Sequence, residues 1–428
     1  MSKKLNFLLL AVLVVFMAAG SNAAGWISQN NPVVQVTDSQ WDAIDIDVTI
    51  DGLKTQDVKT KGGTFTRLTL ENEASRGEIG SPRLPVIRKM VEVPYGAEIE
   101  LSYNAKAVKT LELGQFQLIP VQAPVEKFPG ALEAAPFNLN QVEYSQDQFL
   151  IQPEVRIYDV DYLRGHRVAV LEISPLAYNP VKNQIQFVDS FDIRLELSGA
   201  DRELTEQMDY RYYNQAFEIL LQEKVMNHAA YRSRDYTFPP VAPVPYLIVS
   251  HADYIAAITP FVEWKAMEGF DVTVEEVPAG ATTAQVKAII QDAYDNWPNP
   301  PAYVLLNGDT NTIPAFSGEG SGSADDYEYA ELEGTGYWTP DVMIGRFPIR
   351  STTDLENILA KTLQWSQTSM PDTSYLKDAC FLASSDHGTM LEGTHEWCWD
   401  NHMQPYDPTN NVYHPVYETQ GGVTSDFA

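Results

Sequence analysis

The sequence predicts two successive domains: an all-β domain followed by an α/β domain with a mostly parallel sheet. Three observations predict this. From about Ala24 to Gly199 apolar residues recur with period two, as in half-buried strands. A proline-rich stretch, Pro239-Pro240-Val241-Ala242-Pro243-Val244-Pro245, then interrupts the pattern; proline fixes φ and removes donors, so this reads as an extended linker. After Tyr246, short apolar runs alternate with segments of helical spacing, the pattern of parallel strands covered by helices on both faces.

A chain of 428 residues exceeds what one core usually organises. With 44% apolar and 20% charged residues it is globular in composition. Acidic residues number 58 against 29 basic, a net charge of -29. That balance excludes nucleic-acid backbones and anionic membranes as natural partners, and suits a soluble extracellular protein whose carboxylates attract Ca²⁺. At the amino terminus, Lys3 and Lys4 precede an apolar run from Phe7 to Ala19. The small residues Ser21-Asn22-Ala23 or Asn22-Ala23-Ala24 follow, so residues 1–24 read as a cleaved signal peptide and the protein as secreted. The run is shorter than the about 20 residues of a membrane span, and no later run approaches that length. The cysteines Cys380 and Cys398 read as two buried free thiols rather than a disulfide framework.

In the β-rich part, residues 25–200, Ile44, Ile46, Val48 and Ile50 alternate with Asp45, Asp47 and Thr49 before an Asp51-Gly52 turn. Similar strands are predicted at Phe65–Leu70, Met90–Val93, Ile99–Tyr103, Val155–Val160, Val168–Ile173, Ile185–Val188 and Ile193–Leu197, a sandwich or open barrel. Residues 201–245 hold one or two helices carrying Leu204, Met208, Phe217, Leu220, Leu221 and Val225, then the linker. Strands follow at Tyr246–Ser250, Asp271–Val277, Ala302–Leu306, Asp341–Phe347 and Ala379–Ala383. Helices are predicted over Ala252–Glu268, from Thr282 or Thr283 to about Trp297, from near Thr352, and in the Trp-rich stretch after Ala383. In such sheets a ligand site lies beyond the carboxyl ends of the strands.

Several motifs occur in a specific order: Phe261–Lys265, then Tyr303–Asp309 with Ile313-Pro314, then Asp326-Tyr327, Pro340–Pro348 and Phe381–Gly388. Together they resemble the gingipain-type cysteine endopeptidases, and Arg83–Gly96 resembles that family's β-rich propeptide. The resemblance implies a caspase-like α/β fold for residues 246–428, of which only the front part is present. It implies peptide-bond hydrolysis by a Cys thiolate activated by a His, with protein or peptide substrates, and an intramolecular contact between propeptide and catalytic domain. The family's Gly-His-Gly turn and its following Cys match nothing up to Ala428, and neither Cys380 nor Cys398 lies in the expected loop. The expectation is therefore a precursor inactive as this stretch stands, whose residues 246–428 aggregate or stay molten when expressed alone. The alternative is a non-catalytic binding or inhibitory module built from a propeptide.

The resemblance also assigns residues. Asp386 matches the acid that orients the catalytic His; the plain alternative is a helix cap. Asp309 and Asp341 match carboxylate ligands of a structural Ca²⁺, although the family's acidic residue four before Asp341 is Tyr337 here, with Glu333 as a substitute; the alternative for Asp309 is a turn residue after Gly308. Arg232 and Arg234 in the linker are candidate processing sites, or an ordinary basic spot. His387, Glu392, His395, Glu396 and His402 lack zinc-ligand spacing and read as solvated or core side chains. The Gly/Ser-rich stretch from Gly318 to Ser323 reads as a loop, not a nucleophile elbow.

Overall fold

The computed structural model describes residues 32–125, 134–229, 243–318, 323–333, 339–367, 377–384, 388–406 and 412–421. Residues 1–24, Arg232, Arg234, Tyr337 and Asp386 lie outside the described residues.

The first half is built from strands β1 Val33–Ser39, β2 Ala43–Thr49, β3 Lys54–Thr60, β4 Gly63–Thr69, β5 Ala74–Arg76, β6 Leu84–Glu92, β7 Glu98–Glu112, β8 Glu154–Leu163, β9 His166–Ser174, β10 Leu176–Asn179 and β11 Gln184–Ser198. One short helix, α1 Gln141–Tyr144, interrupts them. Antiparallel sheets run β1-β2-β11-β10, with β7 also on β11, and β5-β6-β9-β8; β3 and β4 form a hairpin. Alternation decides which side chains turn inward. Ile44, Ile46 and Val48 of β2 meet Phe191, Ile193 and Leu195 of β11, and these join Ile87 and Val91 of β6 with Ala169, Leu171 and Ile173 of β9 in one core. The separate strands expected at Ile185–Val188 and Ile193–Leu197 are one strand of 15 residues. Asp189 and Ser190 do not break it, because β7 pairs along its whole length.

Two helices follow. α2, Arg202–Tyr212, is capped by Asp201, whose side chain accepts from the Leu204 N–H, and α3, Gln215–Lys224, by Asn214. Phe217, Leu221 and Val225 pack with Leu163 and Val168 of the first half and with Ala302 of the second. This helical pair is thus the mortar between the two halves.

The second half contains β12 Val244–His251, α4 Ala252–Ile255, α5 Thr259–Met267, β13 Phe270–Val277, α6 Thr283–Asn296, β14 Tyr303–Asn307, a two-residue pair β15 Phe316–Ser317 and β16 Ala324–Asp325, then β17 Met343–Phe347, α7 Thr352–Ser366, β18 Asp378–Ala383, α8 Gly388–Cys398 and β19 Val412–Tyr417. The sheet order is β13-β12-β14-β17, all parallel. Leu247, Val249, Val304 and Leu306 point to one face, under Val286, Ile290, Ala293 and Tyr294 of α6. Ile248 and Leu305 point to the other, under Tyr254 of α4, Ile258 just before α5, Phe261 of α5, and Leu355 and Leu359 of α7. A full capping box, Thr282 with Gln285, starts α6. β18 and β19 form a separate parallel pair.

Three expectations are corrected. The linker does not extend to Pro245, because β12 already begins at Val244; Pro245 needs no N–H there, and its carbonyl accepts from the Ala302 N–H at 3.0 Å. The helix expected over Ala252–Glu268 is two helices, since Pro260 forces a new first turn. The thiols are free but not buried: Cys380 is exposed and Cys398 half-buried.

Truncating Phe191, fully buried between the two sheets, to Ala is expected to cost about 3–5 kcal/mol, read as a lowered denaturant midpoint with an unchanged slope.

Candidate functional site

The two halves meet at one turn. Leu163 pairs with His166 across the β8–β9 hairpin, so Arg164 and Gly165 are its two turn residues; both have positive φ, 47° and 76°. This is the turn geometry that follows strand twist, and it favours glycine. A Cβ at Gly165 would stand 2.5 Å from Cδ2 of Tyr212, so no larger residue fits. Arg164 accepts the unfavourable backbone because of where it sends its side chain.

The Arg164 side chain is buried, 1% exposed, and reaches across to the second half. Nη1 donates to the carbonyls of Pro301 at 2.7 Å and Asp341 at 2.9 Å; Nη2 donates to Pro300 O at 2.9 Å, and Nε to Tyr212 O at 3.3 Å. The guanidinium lies over the Phe217 ring at 4.8 Å and the Tyr294 ring at 5.8 Å. Its backbone N–H donates to Asp341 Oδ1 at 2.9 Å, and the Gly165 N–H to Glu333 Oε2 at 2.7 Å. Thr339 Oγ1 donates to Tyr162 O at 2.7 Å. Burial lowers the guanidinium's proton affinity, and Tyr294, Asp341, Glu333 and Tyr212 beside it work against that loss.

Asp341 is fully buried. Oδ2 accepts the Leu332 and Glu333 N–H groups, each at 2.7 Å. Burial, with the Glu333 charge beside it, pushes its carboxyl up to about 7 against these N–H donors. Burial raises Glu333 as well. Pro300 and Pro301 precede β14, and Asp341 precedes β17, so the contact lies at the amino ends of the parallel strands.

The carboxyl ends are held by a different arginine. Arg346 on β17 grips Asp326 through Nε at 2.8 Å and Nη2 at 2.6 Å, while Nη1 donates to Gly308 O at 2.7 Å and Ile313 O at 2.8 Å. One side chain therefore ties together the Gly308-Asp309, Ile313-Pro314, Asp326-Tyr327 and Gly345-Arg346 motifs. Asn307 Nδ2 donates to Ser250 Oγ at 2.9 Å, joining the buried ends of β14 and β12.

The structure does not bring Asp309 and Asp341 together: the Asp309 N–H donates to Ile349 O past the carboxyl end of β17, whereas Asp341 precedes the first residue of that strand. Asp309 pairs with Arg350, whose hydrogen bond lowers its proton affinity, Asp341 accepts backbone N–H groups, and Glu333 accepts from the Gly165 N–H.

Cys380 lies opposite His414 across the β18–β19 pair, and His414 Nε2 is 3.7 Å from Asp378 Oδ1. Among the described residues no hydrogen bond links Cys380 to His414. His395 stacks on Tyr417 and lies tilted against Phe381, and His402 meets the Trp397 ring edge-on at 4.8 Å, as aromatic-packed side chains.

Sequence reasoning passed over Arg164, and also a buried group formed by Glu92, His166, Asp209, Glu218 and His228. Burial works to raise Glu92, but the His166 charge and hydrogen bonds from both imidazoles prevail and hold it down at about 2. His228 is pulled down by burial and pushed up to about 9 by its bonds to Glu218 and Glu92. Arg164-Gly165 between two alternating runs was the one legible signal, a two-residue hairpin turn whose first residue is a poor fit for it.

Family models match both halves: Propeptide_C25 over residues 26–226 and Peptidase family C25 over residues 240–426. The chain belongs to peptidase family C25. It is 28% identical to Lys-gingipain HG66 of Porphyromonas gingivalis over 391 residues, 87% of this chain and 22% of that protein. To a gingipain R2 of the same organism it is 23% identical over 364 residues, covering 84% of this chain and 48% of that protein. Among solved structures, one of gingipain K from Porphyromonas gingivalis, concerned with zymogenic latency, aligns at 27% identity and a TM-score of 0.38, covering 42% of this chain and 99% of that one. The C25 chain thus spans about a fifth of the Lys-gingipain it matches. The boundary between the two family models falls at the linker, so the Arg164 contact joins the C25 propeptide to the C25 peptidase region.

Three outcomes are expected. Arg164→Ala strands the carbonyls of Pro300, Pro301 and Asp341 and costs about 3–5 kcal/mol. In chain nicked within residues 230–242, the propeptide and peptidase halves should then separate on size exclusion, where the unaltered nicked chain holds together. The folded Asp341 carboxyl binds its proton more tightly than the unfolded one, which titrates at about 4, so its contribution to stability is full below that value and fades as pH rises through about 7. The melting-temperature difference between the unaltered chain and Asp341→Asn should therefore widen as pH falls from 7 to 4. Arg346→Lys loses the two-pronged grip on Asp326 and should speed proteolytic nicking between residues 308 and 325 at least tenfold, about 1.4 kcal/mol of local opening.

Proposed function

We propose that this chain is the precursor form of a secreted gingipain-like cysteine endopeptidase. Residues 25–229 serve as its propeptide, and the region from residue 243 is the front of a catalytic domain with a caspase-like arrangement. The observation that carries this reading is the buried Arg164 turn: a charged side chain of one half is solvated by backbone carbonyls of the other, which marks the halves as built to fold on each other. The match of the two halves to the propeptide and peptidase models of one family supports it.

In this reading the substrates are proteins or peptides. A Cys thiolate attacks the scissile carbonyl, a His carries the proton to the leaving amine, and backbone N–H groups receive the oxyanion. Asp386 orients that imidazole and favours its cation. Residues 1–24 direct secretion, and cleavage at Arg232 or Arg234 separates the halves covalently. Hydrogen bonds at the Arg164 turn outlast that cut, so release of the propeptide is a second step.

The test is the protein made from its natural gene, assayed for casein hydrolysis before and after cleavage within residues 230–242. Activity that rises on cleavage and is abolished by thiol alkylation is expected. Activity indifferent to alkylation, or none after the propeptide has been removed, sinks the reading.

A further inference from the structure

Outside the peptidase region, ionisable side chains converge where water does not reach. Glu92 ends β6, His166 begins β9, Asp209 lies on α2, Glu218 on α3, and His228 follows α3; each is buried. His166 Nδ1 is 2.7 Å from Glu92 Oε1 and 3.3 Å from Asp209 Oδ1. His228 Nδ1 is 2.9 Å from Glu92 Oε2, and its Nε2 is 3.1 Å from Glu218 Oε2. The two imidazoles stand edge to face, 5.4 Å apart. Ligand atoms of Glu92, His166 and His228 all lie within 4.8 Å of one another.

We propose that this group is a zinc site in the propeptide, with His166 Nδ1, His228 Nδ1 and Glu92 as ligands. The donor set fits: two imidazoles and a carboxylate are a zinc combination. Ligands at about 2.0–2.1 Å from a tetrahedral ion lie about 3.3 Å from each other, so the His166–Glu92 and His228–Glu92 contacts, 2.7 and 2.9 Å, need to open by only a few tenths of an ångström. Asp209 Oδ1 stands 3.3 Å from His166 Nδ1, beside the three ligands. Metal-bound imidazoles commonly donate their other N–H to a carboxylate, and Glu218 stands at His228 Nε2 to receive it.

The ligands bind as neutral imidazoles, so metal uptake displaces any proton they carry. Because ligands come from β6, β9 and the segment after α3, the ion would fasten the end of the helical pair to the sheet. It would also fix the base of the Arg164 turn, two residues from His166.

The experiment uses the full chain produced with zinc in the medium and then desalted. Elemental analysis is expected to find about one zinc per chain, X-ray absorption at the zinc edge to show two imidazoles in its shell, and chelation to lower the melting temperature by several degrees. Replacement by Co²⁺ should give the intense visible absorption of a tetrahedral site, lost in a His166→Ala/His228→Ala variant. A folded, unaltered chain with no retained zinc overturns the proposal. So does a zinc shell without imidazole, which needs no variant to detect, or full cobalt absorption in the folded double variant.

Discussion

A guanidinium taken out of water must find another solvent, and that requirement organises this molecule. Arg164 finds it in the carbonyls of Tyr212, Pro300, Pro301 and Asp341. Three of these belong to backbone that enters the parallel sheet, and one ends the first helix of the bridging pair. Prolines suit the role, since they have no N–H to compete for space and their carbonyls are held by a stiff backbone. The hairpin turn, the helices and the sheet edge must all be formed before the charge is satisfied. Each half therefore specifies the conformation of the other at this point.

The parallel sheet has a division of labour between its ends. Its amino ends receive the Arg164 turn, with Asp341 and Glu333 binding the turn's backbone N–H groups. Its carboxyl ends, where α/β sheets carry chemistry, are shaped by the Arg346 fork on Asp326 and by the Asn307–Ser250 bond. Two arginines, one from each half, do equivalent work by satisfying backbone carbonyls that strands and loops leave open.

Much of the architecture was legible because periodicity reports which face is buried. Alternation at Ile44–Ile50 found β2, the apolar runs at residues 246–250 and 302–306 found the central parallel strands, and Thr282 or Thr283 marked the start of α6. Periodicity cannot count strands where charge and turn residues sit inside one, so Asp189-Ser190 looked like a break in β11. It also underestimated the edges: β1 and β3, with polar residues on both faces, carry little apolar signal. The site was harder to read. Motif order pointed to the family, but the reasons for those motifs, above all Arg346 binding Gly308, Ile313 and Asp326 at once, appear only in three dimensions. Asp309 and Asp341 were paired by the family resemblance alone; the structure sets them at opposite ends of the parallel strands. Glu92, His166 and His228 are 74 and 62 residues apart in successive steps and share no local pattern.

The Arg164 turn grips the peptidase region at the amino ends of its parallel strands, the end opposite to the one where α/β sheets carry ligand sites. Adhesion by this contact does not require that the carboxyl ends be covered. Holding the two parts together and covering that end are thus separable properties, open to independent change during evolution.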